Sequence, residues 1–353
     1  MSARTGSLAT TWVAPLVALL IAAIVGDILI LSFGQAPGEV YRLLIEGTWA
    51  NAYGLGQVLY KATTLTFTGL AVALGLRAGL FNIGAEAQLA AGGFMAAMVG
   101  LLVPAGLPVV LAAPICILAA AAGGGIVGAV PGALKAKFGA SEVIVTIMLN
   151  FVVLALLNYI VATKLHVGES LHTPPINAGA LPRLSDVAPA FHGSAANATI
   201  ILAGLTALLV GWYLFRTRAG YDLRAVGLQP DAAEYGGVSV GLVQFRALAL
   251  GGAVAGIGGV NYVLGYKQYY EEGFAAGAGF LGIAVALVGR NHPAGVPIAA
   301  LLFATISQGG LAVNAIVPKQ MVEVLTAVVI IAVAVTVPEV QRLVGAARRK
   351  AAA

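Results

Sequence analysis

Glu86 is the residue whose chemistry demands most of its surroundings. It stands with Asn82 and Gln88 in RAGLFNIGAEAQ, Arg77 to Gln88, inside an otherwise apolar stretch. A carboxylate at membrane depth is costly unless it is paired or hydrated, so it belongs on a protein-lined interior. Asn82 and Glu86 have the i, i+4 spacing that puts both on one face of a helix. Two readings stand: the group lines a route for a hydrophilic solute, with Phe81 adding an aromatic face, or it is a capping network that fixes a kink. A second constellation lies in SEVIVTIMLNFVVLALLN, where Thr146 and Asn150 share a helical face and Asn158 follows two turns on. Amides bind sugar hydroxyls or base edges, and they also join buried helices at about 0.6 kcal/mol each. Ser141 and Glu142 read as a helix start, Ser as the cap and Glu in the first turn.

No catalytic constellation accompanies these residues. There is no H-x-x-x-H spacing, no nucleophile elbow and no G-x-x-x-x-G-K-[ST] loop, so the chain holds no ATP by that route. A lone cysteine, Cys116, leaves no intrachain disulfide and no thiolate metal site. The glycines from Gly251 to Gly259 lack the strand-turn-helix setting of a phosphate loop and read as helix packing. Asn197-Ala198-Thr199 matches a glycosylation acceptor, a motif short enough to recur by chance.

The elements that must position these groups are transmembrane helices. Of 353 residues, 60% are hydrophobic and 9% charged, against roughly 25% charged in a soluble domain. Uncharged gaps such as Leu89 to Leu134 outrun the 20 or so residues that cross about 30 Å of hydrocarbon. Apolar runs predict about ten crossings: Trp12–Phe33, Gly54–Leu76, Leu80–Leu102, Leu107–Leu134, Val143–Ala162, Asn197–Phe215, Gly241–Leu264, Gly277–Gly289, Val296–Val313 and Val322–Val337. The first is too long for a signal-peptide core and no A-x-A site follows it. Gly277–Gly289 is short and interrupted by Gly282, and with the break at Arg77–Gln88 it predicts helices that enter and turn in protein-lined space. The net charge of +5 does not mark a nucleic-acid surface, because the basic residues punctuate apolar runs.

With a cytoplasmic N-terminus, the inner loops carry Arg4, Arg77, Lys135, Lys137, Arg216, Arg218, Arg224, Arg290, Arg342, Arg348, Arg349 and Lys350, as the positive-inside rule asks. The loop Thr163–Ala196 then faces outward. So does Gly38–Trp49, whose Val40, Leu43 and Leu44 at helical spacing predict a helix along the outer interface. The inner stretch Phe215–Val240 mixes both charge signs and contains a short helix, Asp231–Tyr235, opened by Pro230 with acidic residues in its first turn. That helix is the part a cytoplasmic partner would grip. The string Gly69-Leu-Ala-Val-Ala-Leu also resembles Gly282-Ile-Ala-Val-Ala-Leu, a similarity within the reach of chance.

Four blocks in order, RAGLFNIGAEAQLAAGGFMAA, KAKFGASEVIVTIMLNFVV, GYDLRAVGLQPDAAEYGGVSV and GFLGIAVALVGRNHPAGVPIAALLFA, resemble the nucleoside-type permeases of the ABC importer family that also serves ribose and branched-chain amino acids. The similarity runs from about Trp12 to Val337. It implies an all-α integral membrane fold of about ten transmembrane helices in two related halves, with broken or re-entrant helices near the centre. The whole chain is then a single permease domain with helices over about 12–337, an outer loop at 163–196, a cytoplasmic coupling segment at 216–240 and a basic tail at 339–353. It implies a bacterial inner-membrane location with both termini cytoplasmic. Implied partners are a second, non-identical permease, a cytoplasmic ABC ATPase that binds ATP and Mg, and a periplasmic or lipid-anchored solute-binding protein. This chain would itself hold no cofactor and catalyse no reaction.

Carried over by residue, the coupling segment falls on Arg224, Gly227, Pro230, Asp231, Glu234 and Gly236, and the broken-helix motif on Asn82, Glu86 and Gln88. Ala87 departs from the family string, which has Gly there, and its methyl group narrows close backbone approach. The implied mechanism is alternating access for nucleosides. Competing readings are the same class carrying ribose, another simple sugar or a branched-chain amino acid, or a secondary carrier driven by ions through Glu86.

Overall fold

The computed structural model describes residues 20–332, apart from 22, 315, 319, 325 and 329. The basic tail and the outer parts of the first and last expected spans lie outside that range. The helices, in chain order, are α1 (Ala23–Ser32), α2 (Pro37–Glu46), α3 (Ala52–Arg77), α4 (Ala85–Leu102), α5 (Val109–Phe138), α6 (Glu142–Ile160), α7 (Leu184–Val187) and α8 (Thr199–Arg216). There follow α9 (Arg218–Leu228), α10 (Pro230–Tyr235), α11 (Val240–Gly258), α12 (Val260–Tyr262), α13 (Ala278–Val288), α14 (Gly295–Val313) and α15 (Gln320–Ala332). Wide π-helical turns extend α6 over Val161–Leu165 and α12 over Val263–Lys267. Among the described residues there is no β-strand, only isolated bridges such as His172 to Glu271.

Among the described residues, seven helices are long and apolar enough to cross a membrane, or eight if the bent pair α1–α2 is one span. The helices α13 and α15 are apolar but shorter. Each of the ten apolar runs therefore contains helix, and the run read as short and broken is the 11-residue α13.

The chain divides into two compact units, Leu55–Ala304 and the segments flanking it. In the flanking unit, Ile30, Val40, Val313, Val317 and Met321 form a buried core with Leu43 and Leu44 packed on it. The apolar stripe of α2, Val40, Leu43 and Leu44, thus packs on protein, while Tyr41 and Ile45 remain exposed. Trp49 Nε1 donates to Thr305 Oγ1 at 3.2 Å in the same unit.

The central unit is built on a glycine seam. A Cβ at Gly256 would collide with the Ala120 carbonyl and lie 2.9 Å from the Gly124 Cα, and one at Gly128 would lie 3.0 Å from the Gly252 Cα. Gly92 of α4 meets Gly256 as well, so α4, α5 and α11 approach backbone to backbone. Without a side chain between them, dispersion and weak backbone contacts replace the hydrophobic drive that lipid removes. The segment α3–α4 lies deepest: 78% and 72% of their most apolar windows are buried, against 17% for α6 and 28% for α8.

The break after α3 is written in its chemistry. Gly79 takes φ +74°, Gly79 N–H bonds the Leu76 carbonyl at 3.1 Å and Leu80 N–H the Gly75 carbonyl at 2.9 Å, a left-handed glycine termination. Residues 80–83 belong to no helix and α4 begins only at Ala85. Asn82 is therefore not helical and does not share a helical face with Glu86, as the i, i+4 spacing had predicted. Ser141 precedes α6 in extended conformation but makes no side-chain capping bond. Glu142 instead pairs with Lys135 Nζ at 3.0 Å, closing the α5–α6 turn.

The expected single helix of the 216–240 segment is preceded by another, α9, capped by Thr217, whose Oγ1 accepts from Gly220 N–H at 3.0 Å. Gly256→Leu should overpack the seam, lowering stability by about 1–3 kcal/mol. An unchanged melting midpoint in detergent would show that the seam is looser than this packing implies.

Candidate functional site

The short helix α13 sets the problem. Its 11 residues make about 16 Å at 1.5 Å per residue, about half of a 30 Å hydrocarbon core. It ends at the turn bearing Arg290 and His292, and its first turn packs on the start of α4, where a Cβ on Gly279 would strike the Glu86 backbone. Of its leading N–H groups, that of Ala278 bonds the Ala275 carbonyl at 2.8 Å, and those of Gly277 and Gly279 need other acceptors.

Glu86 supplies the acceptors. Its Oε1 takes a hydrogen bond from Gly277 N–H at 2.8 Å and its Oε2 from Gly279 N–H at 2.6 Å. Glu86 is 6% exposed and its side chain faces the N-terminal end of α13. Gly279 admits this approach because any Cβ there would strike the Glu86 backbone, and Gly277 turns into the helix at φ +82°. Thr68 adds a bond from Oγ1 to the Ala278 carbonyl at 3.0 Å.

The other sequence-predicted residues gather on the same break. Asn82 and Gln88 form a reciprocal amide pair, Nδ2 to Oε1 at 2.9 Å and Nε2 to Oδ1 at 3.0 Å. Asn82 Oδ1 also accepts from Gly84 N–H at 3.2 Å. From α6, Asn150 Oδ1 accepts from Ala87 N–H at 3.1 Å while its Nδ2 donates to the Ile83 carbonyl at 2.9 Å. Thr146 returns its hydroxyl to the Glu142 carbonyl at 2.7 Å, and its Cβ packs beside Gly84. Phe81 is half-buried, and its backbone hydrogen-bonds the Glu142 carboxylate. Phe81, Asn82, Glu86, Gln88, Thr146 and Asn150 thus meet at one place, a closed polar knot that holds the non-helical segment between α3 and α4. Asn158 lies apart, donating to Glu272 at 2.7 Å.

A second knot was missed. Asn261 Nδ2 donates to the Tyr60 carbonyl at 2.9 Å and to Thr64 Oγ1 at 2.8 Å, and Asn197 Nδ2 donates to Asn261 Oδ1 at 2.9 Å. Asn261 is an amide stranded in an apolar run, the same signal that singled out Asn150. Asn197 matched a glycosylation acceptor, yet its side chain is buried in this pair.

The end of α9 and the helix α10, where coupling residues are expected, lie at the other end of the break. A Cβ on Gly227 would collide with the Arg77 carbonyl, and the Cβ of a residue at 79 would lie 3.4 Å from the Gly227 Cα. The end of α9 therefore rests on residues 77–79, which lead through 80–84 to Glu86. Arg224 lies over the Phe215 ring at 5.4 Å. Pro230 opens α10, Gly236 ends it, and Asp231, Glu234 and Tyr235 are exposed.

A multi-span helical bundle with a polar knot around a half-helix is the architecture of a membrane permease. The chain matches the family of branched-chain amino acid transport system permease components over residues 54–334. The guanosine ABC transporter permease NupP of Bacillus subtilis is 34% identical across 91% of this chain and 92% of its own length. The glucose ABC transporter permease TsgB13 of Haloferax volcanii is 33% identical across 90% and 85%. A second guanosine permease of Bacillus subtilis, NupQ, is 28% identical across 69% and 77%. No solved structure matches the chain. The protein belongs to this permease family, the membrane-spanning components of ABC transporters.

Glu86→Gln would turn an amide N–H toward the α13 donors and remove the charge assistance of two bonds. The expected loss is about 2–3 kcal/mol, read as a lower melting midpoint in detergent, with Asn150→Leu destabilising less because its bonds are uncharged. A Glu86→Gln protein as stable as the parent would remove the capping role.

Proposed function

We propose that this chain imports nucleosides across the bacterial inner membrane as one permease of an ABC system, in a heterodimer with a second, non-identical permease. One observation carries the reading. The α9–α10 segment packs on the start of the broken strand of chain whose far end, Glu86, holds the half-helix α13. A push on α10 has a short covalent route to the middle of the bundle.

In this reading the α9–α10 end and both termini are cytoplasmic, and the loop at 163–196 faces outward. A separate ATPase, which binds ATP and Mg, grips Asp231, Glu234 and Tyr235, and a solute-binding protein delivers cargo to the outer end. The chain acts as a single permease domain with 216–240 as its coupling segment, and forms no covalent intermediate. The amides of Asn82, Gln88 and Asn150 are satisfied by protein partners, so cargo reaches them only when reorientation parts α4 from α6 and α13. They would then meet sugar hydroxyls or base edges, with Phe81 beside them.

Nucleoside cargo is supported by the likeness to the guanosine permease NupP. The likeness to both NupP and NupQ of one organism supports a pair of unlike permeases. The glucose permease TsgB13 favours a second reading in which the cargo is a simple sugar. Labelled guanosine and glucose, offered to proteoliposomes containing all the subunits, decide between them: concentrative uptake of glucose without guanosine would replace the nucleoside reading.

In the same vesicles Glu86→Ala and Asn150→Ala should lower uptake by about tenfold, equivalent to roughly 1.4 kcal/mol. Full uptake by both variants would take these residues off the route. Asp231→Lys combined with Glu234→Lys should release the ATPase during purification while leaving the melting midpoint unchanged, since both side chains are exposed. Undiminished co-purification would place the coupling contact elsewhere.

A further inference from the structure

One face of the central unit carries an open groove of about 710 Å³ between α8 and the start of α14. Gly204, Gly211, Trp212 and Phe215 form one wall and Pro293 and Pro297 the other. The α8 positions recur at helical spacing, so small residues leave a channel along the helix axis. Nothing lies within 4 Å of a Cβ built on Gly204, and one on Gly211 would only touch Pro293 at 3.6 Å. Trp212 is 61% exposed beside this channel, near the end of its helix, the depth at which indoles favour the membrane interface.

The groove ends in positive charge. Arg216 and His292 line it. Phe215, stacked on His292 at 5.4 Å, also carries the Arg77 guanidinium at 5.7 Å and that of Arg224 at 5.4 Å. Arg77 Nε donates to the Asn291 carbonyl at 2.9 Å, and the ion pairs Arg42 with Glu46 and Lys135 with Glu142 use none of these groups. Arg224 Nε is buried with no hydrogen-bond partner, and so is Asn291 Oδ1 in the adjoining turn. Burial and the Arg77 charge push the His292 imidazole below its usual pKa, so the arginines supply the charge.

We infer that this groove seats an anionic phospholipid of the phosphatidylglycerol type, its acyl chain along Gly204–Gly211 and its headgroup against Arg216 and the Arg77–Arg224 pair. Charge complementarity selects the occupant. A helix of another protein would have to bury carboxylates at the groove end, whereas a lipid in the adjoining leaflet brings an apolar chain and a phosphate already joined. The two unlike parts of the site, a dry channel and an uncompensated cationic end, are matched by the two parts of one amphiphile. The inference rests on the membrane-spanning fold and is independent of the cargo.

Native mass spectrometry of the full chain with its partner subunits, titrated with phosphatidylglycerol or phosphatidylcholine, tests it. Phosphatidylglycerol should be retained preferentially, by about fivefold for each arginine that faces the headgroup. Gly204→Leu should fill the channel and abolish that retention without lowering the melting midpoint; if it does not fold, Gly211→Leu narrows the same channel. Arg216→Gln should reduce the preference by about fivefold and Arg216→Lys should keep it. Equal retention of the two lipids, or full retention by the channel-filling variant, would overturn the assignment. Displacement by inorganic phosphate with no effect of Gly204→Leu would mark a free-anion site and overturn it too. Crosslinking of Leu208→Cys to the second permease would put a protein in the groove, with the same consequence.

Discussion

A carboxylate holding the open end of a half-helix in low dielectric is the interaction on which the rest of the central unit depends. The first N–H groups of α13 have no intrahelical acceptor, and an unsatisfied buried donor is expensive. Glu86 answers two of them, at Gly277 and Gly279. The same contact answers the carboxylate, which is buried and needs donors as much as they need it. Each partner removes the other's desolvation problem, and neither position is tolerable alone.

Several other features follow from keeping that contact in place. The chain between α3 and α4 leaves the helix, and Asn82, Gln88 and Asn150 occupy backbone and amide groups there. Close approach requires residues without side chains, at Gly279 against Glu86 and along the seam of Gly92, Gly124 and Gly256. The two similar strings beginning at Gly69 and Gly282 meet here: a Cβ on Gly69 would lie 2.7 Å from Val285, and one on Gly282 2.6 Å from Thr68. Whatever the origin of their likeness, each supplies the gap into which the other packs.

The two ends of the central unit differ in how they treat charge. At the end carrying residues 262–274, Tyr262 bonds Glu271, Asn158 bonds Glu272, and Tyr60, Tyr266, Tyr270 and Phe274 pack ring against ring. At the end carrying α9, Arg77 and Arg224 share the face of Phe215 without a carboxylate. One end satisfies its carboxylates with neutral hydrogen-bond donors, while at the other these two guanidinium groups meet no carboxylate among the described residues.

The apolar runs were enough to determine a helical membrane protein, because the length and charge content of a segment decide its transfer to lipid before any tertiary contact forms. They also marked Glu86 and Asn150 as groups needing buried partners, the short run that became α13, and the Pro230 start of α10. What those runs left undecided was who would meet whom. The i, i+4 spacing paired Asn82 with Glu86, but Gly79 ends α3 first and turns Asn82 toward Gln88. Asn197 and Asn261 lie far apart in the chain and become partners only through packing. Helix length and lipid affinity are local properties that a run of residues carries with it. The choice of acceptor for a stranded donor is settled by distance in the folded bundle, and that only the tertiary structure could decide.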